Sequence, residues 1–553
     1  MATIPVVVKH QGKKYDVEVD TSNPGEVFKY QLFSLTGVEP ERQKILVKGG
    51  QLKDDTDMSK LGLKAGQTIM MLGTPSGSGG DLVRPKEPVK FLEDMTEAEA
   101  AQQQGATPAG LVNLGNTCYL NSTLQTLRSI PELQDALVKY KAPDSSRGFG
   151  AVDIVADLRD LYRRMGETQD SLEPITFLNT LRKVFPQFAE RSRSSNVYAQ
   201  QDAEEAWSQI LAQIRSKLQI PGQSASASFV DRYMTGNFVS ELKCDEEGGE
   251  APVESSDQFL KLNCHINANT NHLRDGIANA LTEKIEKNSE ALGKETTFTK
   301  TSKISRLPQY LTVHFVRFFW KRESQKKAKI LRKVSFPKEL DLVEFCTDDL
   351  KKLLVPVRDK VREIRKDEED IERARKRRKI RDAGADVPGA SGEAAPKSKE
   401  KEKKEKQEAE KKSADGDTEM TETYKTDAEV DAERDAALLE AKKELHSLIS
   451  PQLLEDDGAN QSGIYDLRAV ITHQGSSADS GHYTAYVKKT APIDPKTGKK
   501  GEEDGNWWWF NDDKISEVAG DKIETLAGGG ESHSALILLY KAIPLPSASG
   551  VVE

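Results

Sequence analysis

The stretch Gly110-Leu-Val-Asn-Leu-Gly-Asn-Thr-Cys118-Tyr-Leu-Asn-Ser-Thr-Leu-Gln-Thr-Leu127 places the tightest constraint on the fold. Leu120, Leu124 and Leu127 repeat at the helical period and Pro131 ends the run, so a helix starts at or near the cysteine. Asn116 or Thr117 is the expected cap. In a first helical turn, unpaired N–H groups and the macrodipole favour an anion. The Cys118 thiol is therefore expected to ionise more readily than a free one. A lone cysteine in such a place is just as often a small buried hydrophobe. A nucleophile needs a base and an orienting group, which the fold can bring from far along the chain.

Both stand near the other end. Leu467 to Val487 reads as a strand, a small-residue loop and a second strand opening Gly481-His482-Tyr483, and Trp507-Trp-Trp-Phe-Asn511 supplies a third strand. This layout can put His482 and Asn511 on adjacent strands, with one ring nitrogen toward the thiol and the other held by the amide. Between the two ends lie the box Gln200-Gln-Asp-Ala-Glu-Glu205 and the strand Leu307 to Phe318.

In this order the four segments resemble the ubiquitin-specific proteases. The resemblance implies an α+β chain with a papain-like thumb, palm and fingers. It assigns Cys118 as nucleophile, His482 as base, Asn511 as third member and Asn113 as the oxyanion-stabilising residue. Many members carry Asp at the third position, and here the carboxylates follow at 512 and 513, so Asp512 is the alternative partner of His482. Gln200, Asp202 and Tyr483 are implied contacts of the ubiquitin tail, whose two arginines call for carboxylates and whose last glycines call for a narrow slot. For Glu204 and Glu205, partnership with a helix dipole is explanation enough.

With 553 residues the chain exceeds one ordinary domain. A net charge of -9 speaks against a nucleic-acid partner, and no apolar run reaches the length of a membrane span. The N-terminus lacks a signal pattern and the four cysteines, 118, 244, 264 and 346, are scattered, which fits a reducing compartment. The expected location is the cytoplasm, extended to the nucleus if the basic run Arg373 to Arg381 is an import signal; a solvated helix face is the commoner reading of such a run. Many ubiquitin-specific proteases hold zinc with two Cys-x-x-Cys pairs. None occurs here, so no metal and no cofactor is expected, His265 beside Cys264 included. His314, in an apolar strand, is read as a hydrogen-bonded core residue.

Residues 1–74 form a separate unit. Strands at Ile4 to Val8 and Tyr15 to Val19 flank a turn at His10-Gln-Gly12. A helix follows from Pro24 to Gly37 with Val27, Phe28, Leu32 and Phe33 at helical spacing, and strands at 43–52 and 67–72 complete the order. This resembles a ubiquitin-like β-grasp domain of a proteasome-associated protease. Leu46, Met70 and Leu72 fall where ubiquitin exposes its apolar patch, and the resemblance makes them the expected contact for the 26S proteasome regulatory particle; ordinary core is the alternative. A flexible linker is expected over 75–107 and the catalytic domain over 108–545. Within it, finger-like hairpins are expected over about 227–300 and a disordered insertion over about 384–428; 546–553 is a tail.

The implied activity is hydrolysis of the isopeptide bond after ubiquitin's C-terminal glycine on conjugates, with a non-catalytic ubiquitin-binding scaffold as the rival. Two loops, Gly475 to Gly481 and Phe319 to about Lys329, are expected to lie over the cleft and slow the free enzyme until a partner opens them.

Overall fold

The computed structural model describes residues 3–47, 50–73, 96–101, 106–143, 152–192, 197–220, 227–321, 326–384, 427–477, 480–490 and 503–547. Most of the expected linker, most of the expected insertion and the end of the tail lie outside these residues. The chain divides into two units, Met1–Asp94 and Met95–Glu553.

In the first unit Thr3–His10 and Lys13–Asp20 pair antiparallel across a turn in which Gln11 and Gly12 both have positive φ, 46° and 81°. Such a turn follows the right-handed twist of the strands it joins. Helix Gly25–Thr36 stops at Gly37, whose φ of 70° lets its N–H reach the Phe33 carbonyl. Thr3–His10 then runs parallel to Gln67–Leu72, with Lys44–Val47 and Gly50–Gln51 beyond it. Val6, Val8, Val17, Val19, Ile45, Ile69 and Met71 point inward against Phe28 and Leu32. This is the β-grasp expected from the sequence. One detail differs. Val27 and Phe33 turn to solvent, because the buried arc of the helix is taken by Gly25, Phe28, Lys29 and Leu32. Strand alternation puts Leu46, Met70 and Leu72 on the outer face, 49%, 50% and 53% exposed, with Leu46 directly opposite Met70.

The second unit is mixed α+β, as expected. Helices Cys118–Arg128, Pro131–Lys139, Ile154–Met165, Ile175–Val184 and Ala203–Lys217 share one apolar core with part of a large sheet. The sheet path runs Leu262–His265, Tyr310–Val316, Ser534–Ala542, Ile464–Ser477, Ser480–Lys488, Trp507–Asn511, Lys514–Val518. Ser534–Ala542 and the first ten residues of Ile464–Ser477, at its centre, are mostly buried, so the sheet forms the floor of the unit. A four-stranded sheet ordered Thr282–Ser289, Lys294–Arg306, Gly236–Cys244, Val253–Phe259 forms the fingers.

Helices Asp348–Gly384 and Asp427–Leu448 pack along one another, the first burying Leu354, Val357, Val361 and Ile364 and the second Leu445. Arg375 and Arg378 pair with Asp435 and Asp431 across this hairpin, and Arg373 pairs with Glu369. Much of the basic run therefore answers acidic neighbours within its own unit. Among the described residues no helix is long and apolar enough to cross a membrane.

Candidate active site

Cys118 is the first residue of its helix and is buried, 3% exposed, at the seam between helix and sheet. The Tyr483 backbone N–H donates to its Sγ at 3.5 Å. Thr117 holds the N-cap position, as one of the two expected caps, but neither its side chain nor that of Asn116 bonds the first-turn N–H groups. Thr117 Oγ1 accepts from the Leu114 N–H at 2.9 Å, and Asn116, at φ 54°, donates its Nδ2 to the Tyr198 carbonyl. Both side chains shape the preceding loop instead. The expected easy ionisation is also reversed: burial pushes the Cys118 thiol up to about 11, the Tyr483 N–H opposes that, and the Asp512 carboxylate adds to it. The N–H groups of the first turn still favour a thiolate, but desolvation outweighs them.

His482 opens the strand Ser480–Lys488, and Asn511 ends the neighbouring Trp507–Asn511. His482 Nε2 lies 2.5 Å from Asn511 Oδ1. An amide oxygen only accepts, so Nε2 carries the proton and Nδ1 is left with its lone pair, the tautomer a base requires. Asp512 does not bond to His482. It sits at φ 54° just past the strand, and that left-handed kink turns its carboxylate toward the cysteine loop. Its Oδ2 accepts from Asn113 Nδ2 at 2.9 Å and its Oδ1 from Asn121 Nδ2 at 2.8 Å. The Asp512 carbonyl accepts from Leu111 N–H.

Asn113 is fixed on its other side too. Its Oδ1 accepts from the N–H groups of Gly115 at 3.0 Å and Thr117 at 3.2 Å and from Thr117 Oγ1 at 3.3 Å. Three donors on one oxygen settle which end of the amide is which, leaving Nδ2 with one N–H on Asp512 and a second available to a substrate. Asn121 and the Tyr483 N–H are site groups that pattern reading missed. Asn121 lies one helical turn past Cys118, on the same face, and that spacing was the available signal.

The box before helix Ala203–Lys217 carries two of the expected tail contacts. Asp202 is the helix cap, accepting from the Glu204 N–H at 2.9 Å, and Gln200 has a buried Nε2 that meets no partner. Glu204 does more than face a dipole: it accepts from Ser208 Oγ and pairs with Lys261 at the base of the fingers. The third contact, Tyr483, turns its ring into the core against His473, and its backbone N–H meets the cysteine. His314 stands near Glu204, Lys261 and His265, and burial holds its ring well below the ordinary histidine range. Among the described residues no group of three His, Cys, Asp or Glu comes together as a metal site.

The two segments expected over the cleft are tied together. Phe318–Lys321 and Lys326–Lys329 pair as a hairpin, Ala328 pairs with Ser477, and the buried Lys329 Nζ donates to the His473 carbonyl at 2.6 Å. Gly475 and Gly481, at φ 116° and 126°, bracket the second segment.

A family model described as ubiquitin carboxyl-terminal hydrolase matches residues 109–540, and one described as the ubiquitin family matches 6–76. The chain is 43% identical over 540 residues to ubiquitin carboxyl-terminal hydrolase 6 of Schizosaccharomyces pombe, covering 98% of this chain and 99% of the relative. It is 39% identical to ubiquitin carboxyl-terminal hydrolase 6 of Arabidopsis thaliana, covering 97% of this chain and 98% of the relative. To ubiquitin carboxyl-terminal hydrolase 14 of Caenorhabditis elegans it is 32% identical, covering 98% and 94%.

Proposed function

The chain belongs to the ubiquitin carboxyl-terminal hydrolase family and is a thiol-dependent deubiquitinase, and we propose that it releases ubiquitin from conjugates held at the proteasome. The observation that carries the chemistry is the His482 Nε2 bond to Asn511 beside a cysteine at a helix start. In this reading His482 Nδ1 takes the Cys118 proton as Sγ attacks the carbonyl of ubiquitin's last glycine. The proton then goes to the departing lysine amine, and water hydrolyses the thioester. The second Asn113 N–H and the N–H groups of the first helical turn stabilise the oxyanion. Asn511 fixes the ring, and Asp512 positions Asn113 without touching His482.

A scaffold without catalysis is disfavoured by the same constellation. Hydrolysis of a ubiquitin C-terminal amide separates the two readings: the native chain turns over, and Cys118→Ala and His482→Ala do not while still binding ubiquitin. Full turnover by either variant would overturn the reading.

The proteasome tether rests on the exposed row Leu46, Met70 and Leu72 in a ubiquitin-like unit. The expected partner is the regulatory particle, reached in the cytoplasm, and in the nucleus if the basic run is an import signal. Met70→Asp should weaken co-sedimentation with proteasomes and leave turnover by the isolated enzyme unchanged; undiminished co-sedimentation would remove the tether.

A further inference from the structure

We propose that His533, outside the constellation above, is a positioning residue that holds the His482 imidazole in register with Cys118. The inference rests on the reading of His482 as the base.

His533 lies directly before the central strand Ser534–Ala542. Its ring centroid is 6.5 Å from that of His482, with the planes at 70°, an edge-on contact. The ring is itself clamped. Thr472 and Thr484 face one another on paired strands, both fully buried, with their hydroxyl oxygens 2.9 Å apart. His533 Nδ1 is 3.1 Å from Thr472 Oγ1 and 3.5 Å from Thr484 Oγ1. With Thr484 donating to Thr472 and Thr472 donating to Nδ1, each hydroxyl is used once and the proton of the neutral ring sits on Nε2. Thr484 is two residues past His482, on the same strand face, so the clamp and the base share one rigid element.

The consequence concerns a specific weakness of this site. An amide at the third position orients the base through one neutral hydrogen bond, where a carboxylate would add charge. A single bond at Nε2 leaves the ring able to swing about it. A second ring, fixed from behind by two threonines, removes that freedom. It must also be uncharged, since a cation there would oppose the imidazolium that forms during attack. Burial holds His533 down to about 4, and the neighbouring His482, Lys329 and Lys522 act in the same direction. It is therefore neutral at neutral pH. The reaction uses it for placement, and no proton moves through it.

Full-length His533→Ala, His533→Asn and His533→Phe separate placement from mere support. Asn keeps an acceptor for Thr472 but no ring against His482; Phe keeps the ring and loses the acceptor. With a ubiquitin C-terminal amide, Ala and Asn are expected to lose about tenfold in kcat with KM within about twofold. Phe should recover most of the loss. Native kcat in His533→Ala would overturn the inference, as would a loss confined to KM. If Ala and Asn also lose ubiquitin affinity, Phe decides, because it conserves volume: kcat as low as in Ala, with affinity intact, rejects the ring contact. His482→Ala, run in parallel, keeps the two proposals apart. An active His482→Ala sinks the assignment of the base itself, whereas a dead His482→Ala beside an unimpaired His533→Ala sinks this inference alone.

Discussion

Burial raises the Cys118 thiol to about 11 and so favours the protonated thiol at neutral pH. Attack then depends on proton transfer to His482 in the transition state, which makes the oxyanion donors correspondingly important. Asn113→Ala is expected to lower kcat about a hundredfold to a thousandfold, the size of one lost oxyanion donor, with a small change in KM. Steady-state hydrolysis of a ubiquitin amide checks it, and a change under about twofold would take Asn113 out of the site. At this scale Cys118, His482, Asn113 and Asn511 were singled out through the family resemblance, and the fold brings them into one neighbourhood. The direction of the thiol's shift was not legible. A helix start favours the anion, but desolvation depends on what covers the first turn, and the cover here is the strand that begins at Ser480. The choice between Asn511 and Asp512 was equally hidden, since it turns on a left-handed backbone angle at 512 that sends one side chain to the base and the next to the cysteine loop.

The element that delivers His482 is the start of the strand Ser480–Lys488, and its tolerance is narrow. Gly481 has φ 126°, and a Cβ there would stand 2.1 Å from the Gln474 carbonyl oxygen and 2.7 Å from His473 Nε2. The first of these neighbours is backbone and cannot step aside. Gly481→Ala must therefore shift the strand start that carries His482, and we expect kcat to fall at least about tenfold while the fold melts cooperatively. Turnover equal to the native enzyme would show that the turn absorbs the change. The strands Ile464–Ser477 and Ser480–Lys488 were readable from alternation, but they run further than expected: Gly475 to Ser477 and Ser480 to Gly481, read as loop, belong to the paired strands. What alternation cannot give is the partner across the cleft: the pairing of Ala328 with Ser477 and the Lys329 bond to the His473 carbonyl join segments far apart in sequence. The same limit explains Val27 and Phe33. Helical spacing found the apolar residues of that helix but not how much of its circumference the small β-grasp sheet covers.

Across the whole molecule, desolvated histidines, His473 and His533 together with the core His314, give the catalytic unit an acid sensitivity of predictable sign. His473 is pushed down to about 3 and His533 to about 4, from an ordinary value of 6.5. Above pH 6.5 neither the folded nor the unfolded chain protonates them, and stability is complete. As pH falls below 6.5 the unfolded chain takes up protons that the folded one refuses, so stability declines toward pH 4. Carboxylates held below their usual range, such as Glu204 beside Lys261, add to the loss only at lower pH. The melting midpoint of the catalytic unit should therefore drop between pH 7 and pH 5, and a flat midpoint across that window would contradict the burial of these rings. At this scale the fold class and the ubiquitin-like unit were legible from strand and helix order. How His533 joins the site was not, because no local pattern links it to residues on two other strands. The central claim is that Cys118 is the nucleophile of a deubiquitinase, and the direct measurement is covalent capture by ubiquitin carrying a C-terminal vinyl electrophile, with the adduct mapped by mass spectrometry. The native chain should gain one ubiquitin at Cys118 and Cys118→Ala none. No adduct on the native chain, or one at Cys244, Cys264 or Cys346, would contradict the account.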